Sequence, residues 1–457
     1  MSNHRNKPDF HPFTYRTIED LEEEIDKYNL DIPLERCVDV LKTTYKLNKI
    51  TFPNRLAIQP MEGFDATEKG TPTDLTRRRY LRYANGGVGL IWFEATAITD
   101  QCKSNPHQLM LHQQNISDFQ ELVQEVRTTC NNKLVSLGFE PNCKLILQLN
   151  HSGRYTKREG KKFPIRACHN KELDKAIHAS KDQGKIITDA ELEEIEEIWV
   201  EKARLAKQSG FDGVDIKACH GYLIGELLGA RKRKDSKYGG ADLKNRSRVL
   251  INIIRKLSAM EKKGSKFLIT SRLGIYDGIP YPYGFGVKAS RGETYPAPYD
   301  LSESIELINT LHEHGVQLIN ISTGNPHYKP FITRPYDTPV KGGGLPTEHP
   351  LYTLNRNYRL ASKVKREAPS EMCILGSSYS YFRQFAGYVV SGLIKSEKVD
   401  MCGFGRMAFA NPSFPEQLFT VGKIDKKKTC ITCSKCSQFM IEGKKTGCAI
   451  RDPLYKN

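Results

Sequence analysis

No stretch of this 457-residue chain approaches the roughly 18 consecutive apolar residues that a membrane-crossing helix needs. The polar start, Met1–His11, has no apolar core of the kind that marks a secretory signal. Twelve cysteines without such a signal read as thiols, a metal site or a cluster rather than as disulfides, and the expected compartment is the cytoplasm. Also lacking is any RNA- or DNA-binding motif, although 69 Lys and Arg outnumber 53 Asp and Glu for a net charge of +16. That excess permits attraction to acidic cofactors and to phosphorylated or carboxylate substrates. Its densest clusters are Arg77-Arg78-Arg79, Arg231-Lys232-Arg233-Lys234 and Lys426-Lys427-Lys428. They read as solvated surface charge, and nucleic acid is not expected as a partner. With 39% hydrophobic and 27% charged residues the chain can bury a large core, which excludes wholesale disorder.

What is present is a regular alternation. Ile18, Leu21, Ile25 and Tyr28 recur at helical spacing and predict an amphipathic N-terminal helix. From about residue 50, short apolar runs appear at Arg55–Pro60, Gly89–Ala97, Lys144–Asn150, Gly213–Cys219, Phe267–Leu273, Val316–Ser322, Cys373–Gly376 and Val399–Phe404. Continuous apolar runs are the signature of parallel strands buried on both faces. Helical stretches separate them. One opens with the capping box Thr188-Asp-Ala-Glu191 and runs through Leu192, Ile195, Ile198, Trp199 and Leu205 to Gly210. The alternation predicts an α/β fold: a (β/α)₈ TIM barrel over 48–421, with an N-terminal helical extension over 1–47 and a cysteine-rich tail over 422–457. A doubly wound sheet is the alternative. It would place a Gly-x-Gly-x-x-Gly turn after the first strand, where this chain has Met61-Glu62-Gly63-Phe64.

In a barrel of this kind the chemistry sits at the C-terminal ends of the strands. Those ends carry Gln59-Pro60-Met61-Glu62, Glu94-Ala95-Thr96, Gln148-Leu-Asn150-His151, Lys217-Ala-Cys-His220-Gly-Tyr222, Arg272, Ser322-Thr323-Gly324, Gly376-Ser377-Ser378 and Gly405-Arg406. Polar groups at nearly every end suit a large polar cofactor. The Gly/Ser and Gly-Arg ends of the last two strands suit a phosphate, because small residues admit backbone N–H groups and Arg adds a fixed charge.

Several of these segments together resemble the old yellow enzyme family of FMN-dependent oxidoreductases. They are Asn54-Arg-Leu-Ala-Ile-Gln-Pro-Met61, Gly89-Leu-Ile-Trp-Phe-Glu-Ala-Thr96, Gln148-Leu-Asn-His-Ser-Gly-Arg154, Gly210-Phe-Asp-Gly-Val-Asp-Ile216, His220-Gly-Tyr222, Tyr238-Gly-Gly240, Asn245-Arg246, Ser271-Arg272 and Val399-Asp-Met-Cys-Gly-Phe-Gly-Arg406. The resemblance runs in chain order from about 48 to 421. It implies a barrel with FMN across the strand ends. Pro60, Met61 and Ala95 would line the flavin, and Gln148 would hydrogen-bond its pyrimidine edge. Arg272 would face N1 and O2, and Gly376, Ser377, Gly405 and Arg406 would hold the phosphate. The family's substrate-anchoring pair corresponds to Lys217 and His220, and its proton donor to Tyr222. Three positions depart from the family pattern, and at the first of them Gln59 stands where Ala is usual. Glu62 stands where Thr or Cys is usual, and a carboxylate there either disfavours an anionic reduced flavin or serves substrate or protons. Lys217 replaces the usual His, and still donates to a carbonyl or binds a carboxylate.

The tail reads Cys430-x2-Cys433-x2-Cys436-x11-Cys448. Three thiols this close cannot pair as two unstrained disulfides, but they can wrap one compact centre. Zinc usually takes two Cys-x-x-Cys knuckles. Three close cysteines and a distant fourth favour a 4Fe–4S cluster. The resemblance points the same way, since the longer family members trimethylamine dehydrogenase and 2,4-dienoyl-CoA reductase carry such a cluster just after the barrel. The second gap matches the former and is one residue shorter than in the latter. On this likeness the chain is expected to be the long form cut after the cluster, with no second flavin domain. Electrons would then reach a separate carrier, ferredoxin- or flavodoxin-like, docked by Lys426–Lys428 and Lys444-Lys445; otherwise NAD(P)H delivers hydride directly and the cluster is structural. The expected activity is reduction of an activated C=C bond, with Tyr222 as acid and His220 and Lys217 on the substrate carbonyl or carboxylate. The alternative is oxidation of an amine, with electrons leaving through the cluster. The oligomeric state stays open.

Overall fold

The structure is a computed structural model that describes residues 10–262, 264–290 and 296–456. Residues 1–9 of the polar start, and Asn457, lie outside the described residues. Eight parallel strands close into a barrel: β1 (Leu56–Ile58), β2 (Leu90–Ala97), β3 (Lys144–Asn150), β4 (Gly213–Ile216), β5 (Leu268–Tyr276), β6 (Leu318–Thr323), β7 (Cys373–Gly376) and β8 (Met401–Phe404). Closure is made by β8 on β1, with Cys402 opposite Leu56 and Phe404 opposite Ile58. A helix follows each strand: α1 (Asp74–Ala84), α2 (Ile116–Ser136), α3 (Asp189–Gln208), α4 (Arg248–Met260), α5 (Ser302–Glu313), α6 (Pro350–Glu367), α7 (Ala386–Lys395) and α8 (Phe414–Val421).

The continuous apolar runs are explained by burial on both faces. All eight residues of β2 are buried. One face packs under the helices. The other fills the barrel with Ala57, Leu90, Trp92, Ile146, Leu268, Leu318, Cys373 and Met401, most of them at strand starts. A hairpin of Tyr45–Leu47 and Ile50–Phe52 plugs that end with Leu47, Ile50 and Phe52. Polar side chains are thereby confined to the opposite end.

The predicted helix starts are met. The Thr188 hydroxyl accepts from the Glu191 N–H at 3.2 Å and the Glu191 carboxylate accepts from the Thr188 N–H at 2.9 Å. The N-terminal helix spans Ile18–Lys27 and buries Ile18, Leu21 and Ile25, while Tyr28 caps it. Two strand bounds move by three residues, and others by one or two. β5 runs on to Tyr276, and β4 stops at Ile216, beyond which Ala218 makes only an isolated bridge to Leu273. Lys217–His220 therefore lie on a turn, where His220 has φ +63° and Gly221 φ +69°.

Two of the basic clusters are corrected. Arg77 pairs with Glu121 and Glu125, Arg78 with Asp452, and Arg79 with Asp65 and Glu94. Arg231 pairs with Glu303 and Arg233 with Asp189. These arginines tie helices and loops together, whereas Lys426–Lys428 are exposed. Among the described residues no helix is long and apolar enough to cross a membrane.

Candidate active site

At the C-terminal ends of the strands a belt of buried polar side chains crosses the barrel. Asp215, at the end of β4, accepts from Gln148 Nε2 at 2.5 Å, from Trp92 Nε1 at 3.1 Å and from the Arg272 backbone N–H. Burial pushes its carboxyl up to about 6, against the pull of these donors. Gln59 and Asn320 pair head to tail: Gln59 Nε2 donates to Asn320 Oδ1 at 3.0 Å and Asn320 Nδ2 donates to Gln59 Oε1 at 2.8 Å. Gln59 Oε1 also accepts from the Arg272 guanidinium. Arg272 Nε, buried, has no hydrogen-bond partner.

The last two strand ends meet the first. Gln59 Nε2 reaches the Gly376 carbonyl at 3.4 Å. A Cβ on Gly405 would sit 2.7 Å from Met61 Sδ, so glycine lets the end of β8 close onto the end of β1. The Ser377 hydroxyl donates to the Ile321 carbonyl at 3.0 Å and is thereby turned into the sheet. Arg406 is buried and its Nη1 has no partner. Arg334 stands near it; burial first, then the charge of Arg406, pulls Arg334 down to about 10. Among the described residues neither Arg406, buried, nor Arg334, half-buried with its Nη1 on the Ser437 hydroxyl, pairs with a carboxylate, and a phosphate would supply that anion. With the unpartnered Arg272 Nε, these donors fit an anionic, hydrogen-bonding cofactor such as FMN. Arg334 carried no motif and was missed from sequence.

Across the belt lies a second cluster. The Glu62 carboxylate accepts from the Tyr222 hydroxyl at 3.4 Å and from Gln108 Nε2 at 3.1 Å. Lys217 Nζ lies 3.5 Å from the centroid of the Tyr222 ring. His220 Nε2 is 2.8 Å from Ser322 Oγ. Tyr155 stands 5.3 Å from Tyr222, ring to ring, and stacks on His327 at 3.7 Å. Burial dominates every titration here. It holds Tyr222 protonated, with the Glu62 charge adding to the effect, and keeps His220 neutral. It raises Glu62 and lowers Lys217, each partly offset by the other. A small pocket open to solvent borders the cluster, lined by Cys219, His220, Gly221, Asp277 and Asn325. The predicted Lys217, His220 and Tyr222 are thus brought together. Pro60, Met61 and Ala95 lie on the adjoining strand ends, and the Ala95 carbonyl accepts from Gln108 at 2.8 Å. His327 has no sequence signal, while Tyr155 directly follows the Gln148–Arg154 segment.

The tail lies against this face. Thr446 N–H donates to the Gly63 carbonyl at 2.7 Å, and Asn105 Nδ2 donates to the Gly443 carbonyl at 3.1 Å. Cys430, Cys433, Cys436 and Cys448, none in a disulfide, line one pocket together with Arg406 and Phe409. Left-handed φ values at Thr432 (+52°) and Ser434 (+56°) curl the chain around it. Cys430 Sγ accepts from the Thr432 N–H and Cys448 Sγ from the Arg451 N–H, both at 3.4 Å. Among the described residues no three His, Cys, Asp or Glu side chains are gathered as for a single metal ion.

The profile of the NADH:flavin oxidoreductase / NADH oxidase family matches residues 43–282, just over half of the chain. The chain belongs to this family and is a flavin-dependent oxidoreductase. It is 26% identical over 379 residues to an NADPH dehydrogenase of Halalkalibacterium halodurans, covering 82% of this chain and 93% of that one. Among solved structures, Old Yellow Enzyme from Pichia sp. AKU4542 is similar with a TM-score of 0.60 at 20% identity, over 84% of this chain and 87% of that chain. A 2-naphthoyl-CoA reductase complex is similar with a TM-score of 0.67 at 19% identity. It is covered over 92% of this chain, which spans 57% of that longer chain. The eight-stranded barrel expected from the sequence is thereby shared with these structures.

Proposed function

We propose that the chain reduces a C=C bond conjugated to a carbonyl or carboxylate, drawing on NAD(P)H, with Tyr222 delivering the proton. The observation that carries this reading is the convergence of Tyr222, Lys217, His220 and Glu62 beside the polar belt. FMN held at the belt would supply the hydride chemistry. The belt and the paired guanidiniums support its binding by Pro60, Met61, Ala95, Gln148, Arg272, Gly376, Ser377, Gly405 and Arg406. Tyr222, kept protonated by burial, is the acid, and the Lys217 ammonium over its ring offsets the negative charge that develops as the proton leaves. Neutral His220 and Lys217 donate to the substrate oxygen. In this reading 48–421 is the FMN-binding unit, with 1–47 and 422–457 as additions to it.

A second reading rests on the tail. The three-plus-one spacing and the four thiols around one pocket support a 4Fe–4S cluster over a zinc ion, whose four sulfurs meet about 2.3 Å from one point. Arg406 touches both that pocket and the β8 end. Electrons from an oxidised amine would leave by this route to a ferredoxin- or flavodoxin-like carrier, with the exposed Lys426–Lys428 as its docking charge, in a reducing, cytoplasmic setting.

The test is anaerobic. NADH or NADPH is added to the flavin-loaded enzyme, followed by enones, enoates, enoyl-CoAs or methylamines, with flavin absorbance followed throughout. Reoxidation by an unsaturated carbonyl compound, slowed about 10²–10⁴-fold in Tyr222→Phe with NAD(P)H reduction unchanged, is the expected result. Reduction of the flavin by methylamines, with no reoxidation by any alkene, would replace it with the second reading.

A further inference from the structure

Gln59 stands where the family usually has alanine, and the fold gives it both space and partners. Its backbone N–H donates to the Phe404 carbonyl at 3.0 Å, which fixes the chain where β1 ends. Its side chain is buried together with Asn320 of β6 and Arg272 of β5. A Cβ on Gly403 of β8 would overlap the Gln59 amide, so glycine there leaves it room. The amide cannot reverse. Its Nε2 is committed to Asn320 Oδ1 at 3.0 Å and to the Gly376 carbonyl at 3.4 Å, while Asn320 Nδ2 donates to its Oε1 at 2.8 Å. The oxygen is therefore the atom that faces Arg272, and it accepts from Nη1 of that guanidinium.

Arg272 has little else to hold it. Among the described residues no carboxylate pairs with its guanidinium, and its buried Nε has no partner. The nearby Asp215 takes the Arg272 backbone N–H, Gln148 and Trp92 instead. Burial pulls Arg272 below the usual guanidinium range, with Cys219 and Asp215 beside it opposing. A carboxylate at position 59 would anchor the same nitrogen but cancel its charge. A neutral amide anchors it and leaves the charge in place. We propose that Gln59, locked by Asn320, is a positioning residue that holds Arg272 as an uncancelled cation facing the flavin and so raises the flavin's reduction potential. The proposal rests on the reading that FMN lies on the belt with its N1 and O2 edge at Arg272. Two electrons and one proton leave a reduced flavin with one negative charge, and a fixed cation beside it favours that state over the neutral oxidised ring. An arginine free to change rotamer would hold its charge there less of the time.

The test reads a potential rather than turnover. Flavin-loaded, full-length enzyme is reduced slowly without oxygen beside a reference dye, and the flavin absorbance gives the ratio of reduced to oxidised cofactor. Gln59→Ala, which restores the family's usual residue, should lose about tenfold in its preference for reduced over oxidised flavin, a fall of about 30 mV for a two-electron couple. Gln59→Glu should fall further, because its carboxylate pairs with Arg272. Gln59→Met fills the same space without an acceptor and should fall as Gln59→Ala does. A native potential in Gln59→Met would reduce Gln59 to packing and overturn the proposal. Sulfite, whose addition leaves negative charge on the flavin ring, should bind about tenfold more weakly to Gln59→Ala and Gln59→Met. In an Arg272→Met background Gln59→Ala should change nothing further; an equal fall there means that Gln59 does not act through Arg272, and also overturns the proposal. A lowered potential in Arg272→Met with native values in every Gln59 variant overturns the positioning role alone. A native potential in Arg272→Met removes Arg272 from the flavin, and the placement of FMN on the belt fails with it.

Discussion

Asp215 is the residue on which the strand-end belt turns. One carboxylate orients Gln148, Trp92 and the backbone of Arg272, and so aligns three strands at the level where a flavin would lie. Its cost is desolvation, which raises the carboxyl from 3.8 to about 6. The folded chain then keeps a proton that the unfolded chain releases. The penalty is absent below the unfolded value and complete above the folded one, so stability falls as pH rises from about 4 to 6, by roughly 3 kcal/mol for a shift of about two units. Urea midpoints measured across that interval should decline in the native protein and decline less steeply in Asp215→Asn. An equal slope in both would show that Asp215 is ionised throughout.

At the scale of elements, two appendages determine what the barrel can do. The hairpin over Tyr45–Phe52 closes the end where strands begin and excludes water from the interior cluster. Phe52, fully buried there, should cost about 3–5 kcal/mol when changed to Ala, read from chemical unfolding, because the plug leaves a cavity that the rigid strand ends cannot fill. The tail is clasped at the other end. Asp452, 1% exposed, accepts from Arg78 at 2.9 Å through both oxygens and also pairs with Arg82 of α1. In Asp452→Ala those arginines lose their partner, and hydrogen exchange over residues 443–456 should accelerate while the amides of β2 and β3 stay protected. Unchanged exchange in the tail would mean that Thr446 on Gly63 and the cysteine pocket hold it without the clasp.

For the molecule as a whole, the flavin reading and the cysteine reading are separable. The belt and the guanidinium pair belong to the barrel, whereas the thiols come from the tail alone. Protein prepared without oxygen should carry about one FMN, four iron and four sulfide per chain. Cys433→Ala should lose iron and sulfide yet retain FMN, measured by metal analysis and by release of the flavin. Stoichiometric zinc in place of iron would leave a zinc-stapled C-terminus. Loss of FMN along with the iron would place Arg406 and the tail in one cooperative site, since Arg406 lines the cysteine pocket as well as ending β8.

The barrel was legible in the chain because strands buried on both faces need unbroken apolar runs, and six of the eight predicted runs begin within one residue of the observed strands. The capping box at Thr188 and the polar residues closing each run were legible for the same local reason: backbone hydrogen bonding and side-chain alternation depend on neighbours in sequence. Three things depended on residues far apart and became visible only in the folded chain. The arginines of 77–79 and 231–233 look like surface charge until their carboxylates arrive from distant segments. Arg334 and His327 stand in no motif, and Asp215 stands in one without a role of its own; all three acquire meaning only from what packs against them. Glu62 could be noticed as a departure, but its contact with Tyr222 spans 160 residues of sequence and is set by closure of the barrel, which carries the turn after β1 against the segment after β4.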